Sequence, residues 1–175
     1  MFEKTFPFSK VGHDRTHNKK YLIEVFTYNF KADRTWYLVE VEHYQHNIYI
    51  LKFYLKKHKK HPNKYNMMSG EFQCARVIAT CLKILLKIYF DNPLASFGFI
   101  GANTIQPDRQ IYELKSNTKR FRVYQTMLTT KIGKETFTHF HNVSKSTYLM
   151  ANNLVDVGKL KKNAEIMFSE EFPEL

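Results

Sequence analysis

Residues 35–57, TWYLVEVEHYQHNIYILKFYLKK, decide the fold. The first ten alternate: Tyr37, Val39 and Val41 fall on one face, Glu40 and Glu42 on the other. That period of two marks a half-buried strand. Residues 48–57 are again rich in apolar and aromatic side chains and predict a second strand. Between them stand Gln45, His46 and Asn47. A three-residue hairpin loop needs its last residue in the left-handed region, which Asn tolerates. This loop length sets Glu40 opposite Lys52, a favourable cross-strand pair, whereas a two-residue loop sets both acids against apolar residues. An antiparallel hairpin with the longer loop is therefore expected.

Upstream, residues 21–30 (YLIEVFTYNF) read as a strand and KADR at 31–34 as a turn. Downstream, residues 59–67 form a loop, and Ser69 is a suitable N-cap for a long helix reaching about Phe90. That helix has one narrow polar stripe, Arg76, Thr80, Lys83 and Lys87, and is otherwise apolar, so it is the expected core helix. DNP at 91–93 stops it. Residues 95–101 (ASFGFIG) predict a buried strand, and 102–114 a polar excursion. Phe121, Tyr124, Leu128 and Ile132 recur at helical spacing, with Asn117 or Thr118 as cap and Gly133 as terminator. The alternation of RFRVY leaves a strand as the rival reading there. Residues 136–141 and 146–152 read as a closing strand pair. Residues 159–171 predict a helix that is basic at its start and acidic at its end, against its macrodipole, so it is either held by tertiary contacts or only partly formed.

The expected architecture is a single α+β domain over residues 1–175, with its core at about 20–152. It has an antiparallel-rich sheet in the order β-β-β-α-β-α-β-β and a C-terminal helix.

Composition points to partners. There are 27 Lys and Arg against 16 Asp and Glu, a formal charge of +11. Such a surplus favours an anionic partner such as nucleic acid. Cys74 and Cys81 lie about 10 Å apart along one helix, too far for a disulfide, and read as core thiols of a reducing compartment. No secretory h-region and no membrane-length apolar run is present, so the cytoplasm is the expected location. The sequence carries no Walker A, G-x-S-x-G, C-x-x-C or G-x-G-x-x-G motif. The histidine pairs His58/His61 and His139/His141 have no neighbouring carboxylate or Cys, so no metal is expected.

Two acid-free clusters are the candidate sites. KFYLKKHKKHPNK (52–64) contains Lys56, Lys57, Lys59, Lys60 and Lys64, interleaved with Phe53, Tyr54 and, just beyond, Tyr65. With Ser69 and Gly70 at the next helix start it suits phosphate, and its aromatics suit stacking on single-stranded nucleic acid. The competing reading is a lysine-blunted edge strand. KSNTKRFR (115–122) places Lys115, Asn117, Lys119, Arg120 and Arg122 at a helix N-terminus, which ordinarily prefers acids. An anion held by the free N–H groups and the arginines accounts for that placement. Pairing of Arg120 or Arg122 with Glu113 or another acid is the alternative.

The element order resembles the core of the GNAT-type acyl-CoA N-acetyltransferases. In that family a Q/R-x-x-G-x-G/A loop binds the CoA pyrophosphate. NMMSGEF stands at that place here, with Gly70 matching. The family helix of form N-x-x-A-x-x-x-Y is matched by Asn117 and Tyr124 at the same spacing, with Arg120 in place of the Ala. The resemblance implies acetyl-CoA as cofactor and Tyr124 as catalytic acid. Separately, NPLASFGFIGAN followed by NTKRFRVY resembles an uncharacterised bacterial domain family that carries no assigned activity.

The expected function is binding of nucleic acid or another polyanion, in a defence or toxin–antitoxin setting. The alternatives are a GNAT-like acyltransferase and a non-catalytic module that docks a protein partner.

Overall fold

The computed structural model describes residues 4–15, 17–67 and 73–175. Four strands come first: β1 (Phe8–Asp14), β2 (Leu22–Ala32), β3 (Thr35–Tyr44) and β4 (Ile48–Leu55). Helix α1 (Cys74–Asp91) and strand β5 (Ser96–Ile100) follow. A small ribbon, β6 (Ile105–Gln106) and β7 (Ile111–Tyr112), leads to α2 (Lys119–Lys131). Strands β8 (Phe137–Asn142) and β9 (Thr147–Asn152) precede α3 (Val157–Glu171). Seven strands form one sheet in the order β1-β2-β3-β4-β5-β9-β8. The pair β4/β5 is parallel and every other pair in it is antiparallel.

The α+β class, the antiparallel-rich sheet and the C-terminal helix match the expectation. The β3/β4 register does too: Glu40 faces Lys52, and Asn47 takes a left-handed φ of 55°. The ion pair differs, because Lys52 reaches diagonally to Glu42 at 2.9 Å. Strand β1 was not anticipated. It pairs with the outer edge of β2, and its register shifts between Lys10 and Gly12. The long helix starts at Cys74, with Gln73 as its N-cap, while Ser69 lies outside the described residues. Cys81 is buried as expected, but Cys74 is exposed in the first turn.

The sheet carries helices on both faces. Val39, Val41, Tyr49, Leu51, Phe97 and Phe99 meet α1 and α2 on one side. Tyr44, Ile48, Ile50 and Leu149 meet Leu160, Ala164 and Met167 of α3 on the other. That apolar stripe, with the Asp156 carboxylate accepting from the Lys159 N–H at 3.0 Å, holds α3 despite its unfavourable charge order. The polar stripe of α1 is partly covered: Thr80 is buried and accepts the Phe6 N–H, and Arg76 lies over the Phe6 ring.

Asn152, fully buried at the end of β9, fastens the chain between α1 and β5. Its amide donates to the carbonyls of Pro93 and Ala95, and its Oδ1 accepts the Leu154 N–H. Asn152→Ala strands the buried Ala95 carbonyl and the part-buried Pro93 carbonyl and is expected to cost about 2 kcal/mol in urea unfolding.

Candidate anion-binding site

Strands β4 and β5 pair only over Ile48–Leu51 and Ser96–Phe99. Beyond that point β4 continues to Leu55 against β3, while β5 ends at Ile100 and turns away through Gly101. The two strands therefore separate at their C-terminal ends. The gap is a cavity of about 400 Å³ whose wall includes Lys52, Phe53, Lys115, Arg120, Tyr124 and Lys145.

Arg120 spans this gap. It is half-buried over the Phe53 ring, and it donates to the carbonyls of Tyr65 and, at 2.8 Å, Met67. Tyr65 is also held from the other side, where its hydroxyl donates to Glu40. Tyr54 donates to the same carboxylate at 2.8 Å, and Lys64 approaches it at 3.4 Å. Burial opposes the charge on Glu40, but these hydrogen bonds and Lys64 outweigh it and hold the carboxyl below its ordinary range. The loop from 64 to 67 is thus tied to β3 by Glu40 and to α2 by Arg120. The two basic segments of the sequence meet there.

Within the first segment, the lysines divide into two kinds. Lys64 is used internally, as is Lys52. Lys56, Lys57, Lys59 and Lys60 are exposed and have no carboxylate partner among the described residues. Lys56 sits 5.8 Å from the centre of the Trp36 ring, which is itself 43% exposed. Burial and Lys57 push the neighbouring His58 below its ordinary pKa. Ser69 and Gly70 lie outside the described residues.

The second segment has its acid after all. Thr118 caps α2, accepting the Phe121 N–H at 3.1 Å, and Glu113 accepts the Lys119 N–H at 2.7 Å. The missing first-turn acid therefore comes from the stretch before the helix, folded back by the β6/β7 ribbon. The other Glu113 oxygen accepts the Thr104 N–H at 2.8 Å. Burial works against its charge, yet the Lys119 and Thr104 N–H groups prevail and lower its pKa. Arg122 donates to the Asn117 carbonyl, not to an acid. Asn117 takes a left-handed φ of 50° and donates its N–H to Val143. Lys119, Arg122 and Lys115 are exposed, and Lys115 Nζ donates to the Glu174 carbonyl at 2.8 Å.

A depressed folded pKa contributes stability above the ordinary carboxylate value of 4.5 and loses it as pH falls through the folded value. Glu113→Gln should therefore cost about 1 kcal/mol at neutral pH. The difference from wild type should shrink in urea melts at about pH 3.

Tyr124 lines the gap but is buried, and burial pushes its phenol well above the ordinary value. His139 bonds the Tyr148 hydroxyl at 2.7 Å, and His58 and His61 face one another across the lysine loop. Among the described residues no group of three or more His, Cys, Asp or Glu side chains is arranged to hold a metal. No helix among them is long and apolar enough to cross a membrane. Sequence reasoning missed Glu40 and Glu42 as site residues. Their signal was two acids on one strand face, opposite a strand and loop rich in lysine and tyrosine. Comparison with family models, with curated proteins and with solved structures found no match to this chain.

Proposed function

We propose that the protein is a cytoplasmic module that binds nucleic acid or another polyanion through the 56–64 loop and the first turn of α2. The observation that carries this reading is Arg120, whose bonds to the Tyr65 and Met67 carbonyls tie the chain just after the 56–64 loop to the first turn of α2. Lys56, Lys57, Lys59 and Lys60 of the first segment and Lys119 and Arg122 of the second are all exposed. Trp36 beside Lys56 offers an exposed ring on which a base can stack. Fluorescence polarisation with single- and double-stranded DNA and RNA oligonucleotides, at two salt concentrations, tests the reading. Binding should weaken steeply with salt. Absence of binding to all four at low salt rejects it.

A second reading, acyl transfer of the GNAT type, is favoured by a different observation. The parallel pair β4/β5 stands inside the sheet and opens at its C-terminal ends onto a cavity reached by Tyr124. On this reading acetyl-CoA enters the gap, and Arg120 must swing out of it first. Calorimetry with acetyl-CoA separates the two readings: no heat at millimolar ligand rejects the second.

A further inference from the structure

A second cavity, of about 440 Å³, lies beneath α3 and adjoins the first, sharing Ile100, Lys145, Phe172 and Leu175 with it. Its volume falls in the range of small-molecule sites. Its walls are apolar: Phe140 and Leu149 from the sheet, and Ala164, Phe168 and Phe172 from the helix side. Gly98 forms part of the floor. A Cβ there would stand 3.3 Å from Ile50 Cγ1 and 3.6 Å from the Phe168 ring, so any larger residue would fill the space.

The rim has the opposite character. Lys145, Lys161 and His141 stand around the mouth, with Glu165 as the acid there. Glu165 lies 3.3 Å from Lys161, but both side chains are largely in solvent, at 65% and 44% exposure. Such a pair holds its lysine only weakly. Lys145 has no carboxylate partner among the described residues. An apolar chamber with a cationic mouth selects a ligand with an apolar body and an anionic head.

We propose that this cavity binds an amphiphilic carboxylate, with an acyl chain or aromatic ring beneath α3 and its carboxylate at Lys145 and Lys161. The inference does not rest on the polyanion reading, since the exposed lysines of the 56–60 loop take no part in this cavity.

Isothermal titration calorimetry with octanoate, butyrate and 1-octanol tests it. Octanoate should bind saturably, butyrate should not, and octanol should bind about fivefold or more weakly for want of the charge. Ser169→Trp places a ring into the cavity from an exposed helix position and should abolish octanoate binding. Glu165→Trp, at a second exposed lining position, provides the same block if the first variant does not fold. The double variant Lys145→Glu, Lys161→Glu should weaken octanoate about tenfold. Replacing Lys56, Lys57, Lys59 and Lys60 by Gln should leave octanoate binding unchanged, which separates this site from the polyanion surface. The proposal is overturned if octanoate gives no saturable heat, if a folded Trp variant binds it like wild type, or if octanol binds as tightly.

Discussion

Gly101→Ala is expected to destabilise the protein by about 3 kcal/mol, lowering Tm by about 10 °C. Gly101 follows β5 at the point where the chain leaves the sheet, and the first turn of α2 rests directly on it. A Cβ at this position would lie 2.6 Å from Phe121 Cβ, 2.7 Å from the Phe121 backbone nitrogen and 2.7 Å from Thr118 Oγ1. Two of those three atoms cannot swing aside as a side-chain tip could. The third is the capping hydroxyl, which also donates to the Gly101 carbonyl at 2.7 Å. Relief therefore requires α2 to lift from the sheet, breaking the Thr118 cap and the Thr118 N–H bond to Ser146. Gly133→Ala is the control. The nearest atom to a Cβ there is 4.0 Å away, and alanine should be neutral or stabilising by about 0.5 kcal/mol. Thermal melts of the two variants measure the contrast. Equal stability of Gly101→Ala and wild type would show that α2 is not seated on this glycine.

That contact also shows where the sequence stops being informative. Strand β3 was legible because its acids alternate with apolar residues, which writes a period of two into the chain, and β2 and β4 because each is a run rich in apolar and aromatic side chains, β4 being buried on both faces. The β3/β4 register was legible because a three-residue loop sets Glu40 against Lys52, whereas a two-residue loop sets both acids against apolar residues. Helix α2 was legible from Phe121, Tyr124 and Leu128, all of which are buried. Strand β1 was not, because it is a mostly exposed edge with little apolar alternation to read. The partners of α2's first turn were equally hidden. Glu113 reaches the Lys119 N–H only after the β6/β7 ribbon folds back, and no local capping pattern announces that. Arg120 finds its acceptors in backbone carbonyls of a loop more than fifty residues earlier. Carbonyl acceptors belong to every residue type, so composition cannot reveal them. The charge surplus was readable; which cations were already occupied was not.

Replacing Lys56, Lys57, Lys59 and Lys60 together by Gln should lower nucleic-acid affinity by about three orders of magnitude near 0.1 M salt. It should also flatten the slope of log K against log salt by about 3, because each lost phosphate contact on a single strand removes about 0.7 from it. These lysines are exposed, and Lys56 touches the Trp36 ring from solvent, so Tm should barely move. Lys64→Gln makes the opposite prediction. Lys64 helps to hold Glu40 ionised beneath Tyr54 and Tyr65, so its loss should reduce stability by about 1 kcal/mol with little change in salt slope. Arg120→Gln belongs between them. It removes a cation and also frees two loop carbonyls, so affinity and stability should fall together. Wild-type affinity and slope in the quadruple variant would reject the lysine loop as the contact surface. A fall in affinity with an unchanged slope would show that the loop acts through its shape and not through its charge.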